Sequence, residues 1–304
     1  MFDVRQSPRV RTESRLAWRL LAPALAVILL VTLFPLAWTA WESLHVHDLR
    51  MPWRGRPFVG LANYAELLGE VRLWAALGHT TAFTAISVSL EITFGLILAL
   101  ILDRVARARA LVRTVVLIPW ALPTVVSALL WRFMFEDRIG VVNAVLAALH
   151  LPGSATVWLA DPIAAWVPII GADVWKTTPF VALVLLAGLQ TIDDAIYEAA
   201  RVDGATGWQR FRYLTLPLLK PVILVALIFR TLDAFRIFDL VYALTGGGPG
   251  TATEPVVLYT FDALFQHLRF GYGAASAVLV FGLTLGLAWI YIRMLGIRHR
   301  DAAE

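Results

Sequence analysis

Residues 190–221, QTIDDAIYEAARVDGATGWQRFRYLTLPLLKP, form a charged and polar stretch between two long apolar segments. Asp193, or the aspartate after it, is placed to cap a helix, because a carboxylate accepts the free N–H groups at a helix start. Gly204 predicts the end of that helix, and Thr206 predicts the cap of a second short helix. Pro217 is expected to end the unit. The pattern predicts two short helices in an L at a membrane surface, a shape that another protein can grip.

The rest of the chain is apolar enough to predict a membrane protein. Of the 304 residues, 59% are hydrophobic and 16% are charged, and the mean hydropathy is +0.73. A helix needs about 20 apolar residues to cross a bilayer core. Six windows meet this requirement, near residues 18–41, 76–102, 113–135, 166–190, 218–243 and 273–295. We therefore predict an all-α polytopic membrane protein with six transmembrane helices, forming a single domain over residues 1–304.

Lysine and arginine in the connections predict the orientation, since they are enriched on the cytoplasmic side. Sixteen lie in the amino-terminal tail, the 103–113 connection, the 191–220 connection and the carboxy-terminal tail, against seven on the other side. Both termini are thus predicted to be cytoplasmic, in a bacterial cytoplasmic (inner) membrane. The pI of about 9.7 follows from this asymmetry. We expect no nucleic-acid partner, because the arginines do not cluster into one basic face.

The sequence lacks the motifs of several catalytic and cofactor-binding sites. Neither lysine follows a glycine, so a phosphate-binding Gly-Lys-Ser/Thr loop is excluded, and there is no His-Glu-x-x-His. The chain has no cysteine. His45 and His47 are two residues apart, but we expect them to be solvated loop histidines rather than a metal site. The sequence predicts a protein that is not an enzyme, with no metal site and no bound cofactor of its own.

Charged residues inside the apolar windows are the second informative feature, since a charge at the bilayer centre costs at least about 2.5–3.5 kcal/mol. They are Glu91, Asp173, Lys176, Arg230, Asp233, Arg236 and Asp239. The fifth window alternates sign every three residues, which predicts ion pairs along one helix face. For Glu91, Arg236 and Asp239 we favour a role in holding helices together. For Lys176, Arg230 and Asp233 we favour contact with a ligand.

Four elements of the stretch 190–221 resemble a family signature: Glu198-Ala199-Ala200, then Gly204, then Leu214 and Leu216-Pro217. They resemble the EAA motif of the permease subunits of binding-protein-dependent ABC importers. In that motif Glu-Ala-Ala is followed by three residues, Gly, nine residues, Ile, one residue and Leu-Pro. Leu214 replaces the Ile. Further matches to the maltose/trehalose-type sugar permeases cover roughly residues 20–295: Gly60–Tyr64, Ile118–Pro123, Trp175–Pro179 and Leu244–Pro249.

The resemblance implies a type I ABC importer permease fold and a set of partners. The implied partners are a second homologous permease, two ABC ATPase subunits that bind ATP and Mg²⁺, and an extracytoplasmic solute-binding lipoprotein. Segment 191–217 would dock into a groove of the ATPase. Its coupling residues would be Glu198, Ala199, Ala200, Asp203, Gly204, Leu214 and Pro217. The alternative is an amphipathic surface helix among lipid headgroups.

The resemblance also implies a sugar site, matching Trp120, Thr124, Lys176, Thr177, Phe180, Arg230, Asp233, Ala234 and Ile237. Independently, the last four follow helical spacing and so share one helix face. Pro119 and Pro123 are expected to loosen the third span near this site. We expect a permease that forms half of an oligosaccharide pathway, with a disaccharide such as trehalose or maltose as the leading substrate. Glycerol-3-phosphate is the second candidate, and a self-sufficient secondary transporter is the competing class.

Overall fold

A computed structural model describes residues 8–104 and 109–300, and within these ranges the chain is helical, with two isolated β-bridges but no strand. The helices are α1 (Pro8–Glu42), α2 (Ala62–Gly69), α3 (Val71–Arg104), α4 (Arg109–Ala121), α5 (Thr124–Met134), α6 (Val141–Ala148), α7 (Trp166–Leu189), α8 (Asp194–Val202), α9 (Gly207–Arg210), α10 (Leu216–Ala234), α11 (Asp239–Leu244), α12 (Val256–Phe261) and α13 (Phe270–Arg300). Single turns of π-helix cover Phe211–Thr215 and Asp262–Gln266.

Helices long and apolar enough to cross a membrane occur at each predicted window. Five qualify individually, and a bent pair makes a sixth if its halves count as one span. They are Trp18–Glu42, Val71–Arg104, the pair Leu111–Ala121 and Thr124–Met134, Trp166–Leu189, Gly207–Ala234 and Phe270–Arg293. The predicted all-α membrane architecture is confirmed.

The third span is sharply bent. The axes of α4 and α5 differ by 83°, and the break falls at Leu122 and Pro123. Pro119 lies inside the last turn of α4, and Pro123 precedes the first residue of α5. Proline has no N–H to donate and clashes with the preceding turn, so this pair interrupts the helix. The predicted loosening of this span is confirmed.

The chain divides into two compact units, residues 1–69 with 262–279 and residues 70–261 with 280–304. In the first unit, the loop after α1 folds back onto the end of that helix. The side-chain amide of Asn63 donates to the main-chain oxygens of Ser43 (2.8 Å) and His45 (2.9 Å). Arg269 pairs with Glu66 at 2.7 Å. These contacts secure a loop that the sequence presents only as a connection.

The two histidines of this loop are packed, so the prediction that they are solvated is wrong. The His45 ring lies 3.9 Å from the Trp41 ring, and its Nδ1 is 2.7 Å from the Trp41 main-chain oxygen. The Nδ1 of His47 contacts the Glu42 carboxylate. Both contacts join residues only four and five positions apart, so the histidines pack on the last turn of α1.

In the second unit, α3 and α7 pack along each other and α10 packs on both. Small residues permit this close approach. A Cβ added at Gly95 of α3 would lie 2.6 Å from Cγ1 of Val181 on α7. One added at Gly188 of α7 would lie 2.8 Å from Cγ2 of Val222 on α10. The three helices therefore form a tightly packed core.

The fifth span differs from prediction at both ends. Its helix stops at Ala234 instead of continuing to residue 243, and the short α11 follows. The N–H of Arg236 donates to the carbonyl of Asp233 and that of Ile237 to the carbonyl of Ala234, a tight turn that closes the helix. At the other end, Pro217 does not terminate a unit. It sits in the first turn of α10, directly after the π-helical turn Phe211–Thr215.

Candidate functional site

A cavity of about 510 Å³ opens beside the bend of the third span, next to α7 and the end of α10. The structure brings all nine residues of the predicted sugar site to its wall: Trp120, Thr124, Lys176, Thr177, Phe180, Arg230, Asp233, Ala234 and Ile237. Ile237 reaches the wall from beyond the end of α10, so the predicted shared helix face holds only for the other three residues of the fifth span. The volume is within the usual range for small-molecule sites.

One wall of the cavity is aromatic. The rings of Trp120 and Phe180 are stacked, with centroids 5.8 Å apart and planes 18° from parallel. The Lys176 ammonium donates to the main-chain oxygen of Trp120 at 3.3 Å, which leaves its other N–H groups free for a ligand. The Thr177 hydroxyl donates to the main-chain oxygen of Asp173 at 2.7 Å, so its oxygen can still accept. The wall thus combines an apolar stacking surface with hydrogen-bonding groups.

Arg230 belongs to the cavity wall, but its side chain is buried in a cluster of acidic residues. Its Nε donates to Oε2 of Glu91 at 2.5 Å and its Nη2 to Oε1 of Glu91 at 2.8 Å. Nη2 also lies 3.3 Å from Oδ2 of Asp173. Nη1 contacts the carboxylate of Asp233. The predicted pair with Asp233 is present, and Glu91 holds helices together as predicted.

The rest of the predicted charge ladder is not formed. Among the described residues, Arg236 makes no ion pair with Asp233 or Asp239, and its Nε donates to the main-chain oxygen of Leu232 at 3.1 Å. The helix ends before Arg236, so the three-residue spacing no longer places these side chains on one face.

Segment 191–217, the predicted coupling segment, has the caps that the sequence predicts. Asp193 accepts the N–H of Ala195 at 2.9 Å at the start of α8. Thr206 and Gln209 cap α9 reciprocally, each side chain bonding the other residue's main-chain N–H. However, α9 is not a separate helix, because it continues through the π-helical turn Phe211–Thr215 into α10. The second arm of the predicted L is therefore the first part of the fifth span.

The turn between α8 and α9 is a Schellman motif. Gly204 has φ +78°, its N–H donates to the carbonyl of Arg201 at 3.1 Å, and the N–H of Ala205 donates to the carbonyl of Ala200 at 2.9 Å. A depression of about 370 Å³ lies at this turn. Four predicted coupling residues line it: Ala200, Asp203, Gly204 and Leu214.

The other three predicted coupling residues do not line this depression, but all are exposed: Glu198, Ala199 and Pro217. The Glu198 carboxylate lies 3.9 Å from Arg201 and is 71% exposed. It does not cap its own helix, since Asp193 does so. Tyr197 ties α8 to the start of the fifth span, its hydroxyl being 3.0 Å from that of Thr215. The segment is thus joined to the fifth span and presents an exposed carboxylate.

Residues 91–300 match the family model described as the binding-protein-dependent transport system inner membrane component. The chain belongs to this family. The permease is 44% identical over 289 residues to the trehalose/maltose transport system permease protein MalF of Thermococcus litoralis, covering 95% of this chain and 96% of that protein. It is 41% identical over 284 residues to the trehalose transport system permease protein SugA of Mycobacterium tuberculosis, covering 93% and 90%.

Solved structures share the fold of the permease. A chain of a bacterial alginate ABC transporter, solved in complex with alginate pentasaccharide-bound periplasmic protein, superposes with a TM-score of 0.80. The match has 23% identity and covers 94% of this permease and 96% of that chain. A chain of the inward-facing MetNI methionine ABC transporter matches with a TM-score of 0.53 and 20% identity, covering 74% and 95%. The type I ABC importer permease fold is thus confirmed.

Two features of the permease's site were not expected from the sequence. Glu91 and Asp173 converge on Arg230 from α3 and α7, and Ser87 joins them, its Oγ 2.6 Å from Oδ2 of Asp173 and 3.1 Å from Oε1 of Glu91. The only sequence signal was the presence of isolated charges in apolar windows. Such charges must find a partner in the membrane interior, but the sequence does not say which one.

Proposed function

We propose that this permease forms half of the membrane pathway for an oligosaccharide, with a disaccharide such as trehalose or maltose as the leading substrate. The observation that carries the proposal is the cavity, where the stacked pair Trp120 and Phe180 lies beside Lys176 and Asp233. A sugar ring offers an apolar face for stacking and hydroxyls that both donate and accept. Relatives whose names include trehalose and maltose, at 41–44% identity, support the same class.

The permease works with partners in this proposal. A second homologous permease completes the pathway, two ABC ATPase subunits bind ATP and Mg²⁺, and an extracytoplasmic solute-binding lipoprotein delivers the sugar. No catalytic step and no cofactor are assigned to this chain. Membership of a binding-protein-dependent family supports this division of labour over a self-sufficient secondary transporter.

The coupling segment 191–217 would transmit ATP binding to the cavity. The Schellman turn at Gly204 and the depression of about 370 Å³ beside it form the docking surface, and Glu198 supplies an exposed carboxylate for a basic group of the ATPase. Since α9 continues into α10, a displacement of this surface would move the helix that carries Arg230 and Asp233. The proposed orientation, with both termini cytoplasmic, puts this surface on the ATPase side.

The test is transport by the complete complex in proteoliposomes, with the permease, its companion, the ATPases and the binding protein. We expect uptake of labelled trehalose or maltose that requires ATP inside the vesicles and persists when a protonophore collapses the proton gradient. An assembled complex that moves neither these nor any other oligosaccharide would contradict the proposal. Uptake driven by a proton or sodium gradient without ATP would favour a secondary transporter.

A further inference from the structure

Within the predicted sugar site, Arg230 and Asp233 differ in their contacts with the buried acidic residues, and this difference indicates different roles. We propose that Arg230 is a positioning residue. Glu91 and Asp173 hold its guanidinium, and Arg230 in turn fixes the carboxylate of Asp233. The Asp233 carboxylate accepts hydrogen bonds from the hydroxyl groups of the sugar. The cavity therefore selects neutral, hydroxyl-rich ligands over phosphate esters. This inference rests on the proposed function and specifies its substrate class.

The hydrogen-bond capacity of Arg230 is almost fully used within the protein. A guanidinium has five N–H donors. Nε donates to Glu91, Nη2 donates to Glu91 and Asp173, and Nη1 contacts Asp233. Four of the five donors are thus engaged with carboxylates. A fork-shaped grip on a phosphate needs two parallel free donors, and Arg230 has only one left.

Burial separates the two residues in the same way. The side chain of Arg230 is 4% exposed and that of Glu91 is fully buried, whereas the side chain of Asp233 is 69% exposed. Asp233 is therefore the group that reaches ligand in the cavity. Arg230 lies one helical turn before Asp233 on α10 and contacts its carboxylate. A ligand that enters the cavity meets the carboxylate first.

The charges of the cavity do not favour an anion. Its wall contains three basic residues and three acidic residues: Lys176, Arg230 and Arg236 against Asp173, Asp233 and Asp239. Glu91 adds a further carboxylate directly behind Arg230. A phosphate ester would have to displace carboxylates that already hold the guanidinium. Sugar hydroxyls, in contrast, can donate to Asp233 and accept from Lys176 without disturbing the cluster.

Glu91 is the residue that fixes this arrangement. It bonds Arg230 through both carboxylate oxygens, and Ser87, one helical turn earlier on α3, contacts one of them at 3.1 Å. Without the Glu91 charge, the guanidinium would turn towards its other carboxylates and draw Asp233 away from the ligand. Glu91 thus influences sugar affinity without reaching the cavity wall.

The experiment measures KM and kcat of sugar uptake in the complete reconstituted transporter. We expect Asp233→Asn to raise KM for the sugar about tenfold or more, because a hydrogen bond to a charged group is lost, with kcat within twofold. Glu91→Gln should raise KM in the same direction, and Glu91→Asp, which restores a carboxylate, should recover part of the loss. Asp137→Asn, an exposed acidic residue outside the cavity, is the matched control and should leave KM unchanged.

Phosphate specificity is measured in the same assay. Glycerol-3-phosphate and inorganic phosphate, each in excess over the sugar, should leave wild-type uptake unchanged. Competitive inhibition by glycerol-3-phosphate would overturn the inference, as would a normal KM in Asp233→Asn. If Glu91→Gln does not assemble, Asp233→Asn still tests the inference. The side chain at position 233 is exposed, so this substitution is expected to leave folding intact. A wild-type complex that transports no sugar would instead reject the proposed function itself.

Discussion

At the scale of single residues, burial and bonding divide the charged side chains by role. Arg230 and Glu91 are sealed among three helices, where removing one partner strands the other's charge at a cost of about 3–5 kcal/mol in soluble proteins. Lys176 and Asp233 keep bonding capacity for a ligand. Arg236 and Asp239 line the same cavity but form no ion pair with each other in the described structure. Charged residues that look alike in the sequence therefore fall into three groups: buried and paired, available to a ligand, and lining the cavity without pairing to each other.

A first prediction concerns the aromatic wall. Trp120→Ala removes the ring that stacks on Phe180 at 5.8 Å, and with it the surface on which we place the sugar ring. Aromatic stacking contributes about 0.5–1.5 kcal/mol beyond the buried area, so KM for the sugar should rise about tenfold. Uptake at limiting sugar measures the change. Trp53→Ala, an exposed tryptophan of the first unit, is the control. Equal KM values for Trp120→Ala and wild type would show that this wall is structural.

A second prediction concerns the fork of Arg230. Arg230→Lys keeps the positive charge but cannot bond both oxygens of Glu91, since an ammonium has no planar fork. We expect the thermal midpoint of the purified complex to fall by several degrees. Arg236→Lys changes an exposed side chain with one bond to a main-chain oxygen and should leave the midpoint nearly constant. The same midpoint for both variants would mean that the charge alone matters at position 230.

At the scale of elements, glycines decide how closely helices approach and where they end. Gly95 places α3 against Val181 of α7, so an added methyl group meets side-chain and main-chain atoms at once. Gly204 instead faces open space but has φ +78°, which L-residues adopt only with strain. The first glycine is required for packing and the second for backbone conformation.

A third prediction tests the packing glycine. In Gly95→Ala the Cβ would lie 2.6 Å from Cγ1 of Val181 and 3.3 Å from the main-chain N of Ala182. Such overpacking costs about 1–3 kcal/mol, so the yield of folded permease and its thermal midpoint should both drop. Gly286→Ala on α13 has no atom within 4 Å of the new Cβ and is the matched control. A Gly95→Ala protein as stable as Gly286→Ala would contradict the tight α3–α7 contact.

A fourth prediction tests the coupling turn. Gly204→Ala introduces about 1–2 kcal/mol of backbone strain at the Schellman turn. We expect ATP hydrolysis to respond less to sugar-loaded binding protein, while the permease still inserts and assembles. Gly207→Ala, three residues later and without a positive φ, should behave as wild type. Normal stimulation of ATPase activity in Gly204→Ala would argue against a role for this turn in coupling.

At the scale of the whole molecule, the distribution of arginine sets the proposed orientation. The side with sixteen basic residues contains the coupling segment, and the other contains seven. Positive charge in short connections favours retention in the cytoplasm. The long outer connections are themselves folded, with α2, α6, α11 and α12 within them.

A fifth prediction tests that orientation. The chain has no cysteine, so single cysteines give a clean background. Cysteines at Arg54 and Thr251, both exposed, should react with an impermeant maleimide added outside intact cells. A cysteine at Thr206, also exposed, should react only after the membrane is opened. The reverse labelling pattern would overturn the orientation.

The sequence by itself determined the architecture and the local caps of segment 191–217. Apolar windows reveal spans because every main-chain polar group must be satisfied within the helix in lipid, and caps are local, so Asp193, Gly204 and Thr206 could be recognised from their neighbours. Pro119 and Pro123 likewise predicted the interruption of the third span. These features depend on contacts between residues a few positions apart, and such contacts leave a pattern in the chain.

Only the tertiary structure decided what the membrane charges do. Glu91 and Arg230 are 139 positions apart, and Asp173 and Arg230 are 57 apart, so no periodicity could pair them. These partners occupy most of the N–H donors of Arg230. Arg230, which the sequence predicts as a ligand contact, therefore positions Asp233 in our proposal. The end of α10 at Ala234, which the apolar run hides, then separates Arg236 from the predicted charge ladder. Long-range pairing and helix termination depend on packing between elements, and only the folded molecule supplies it.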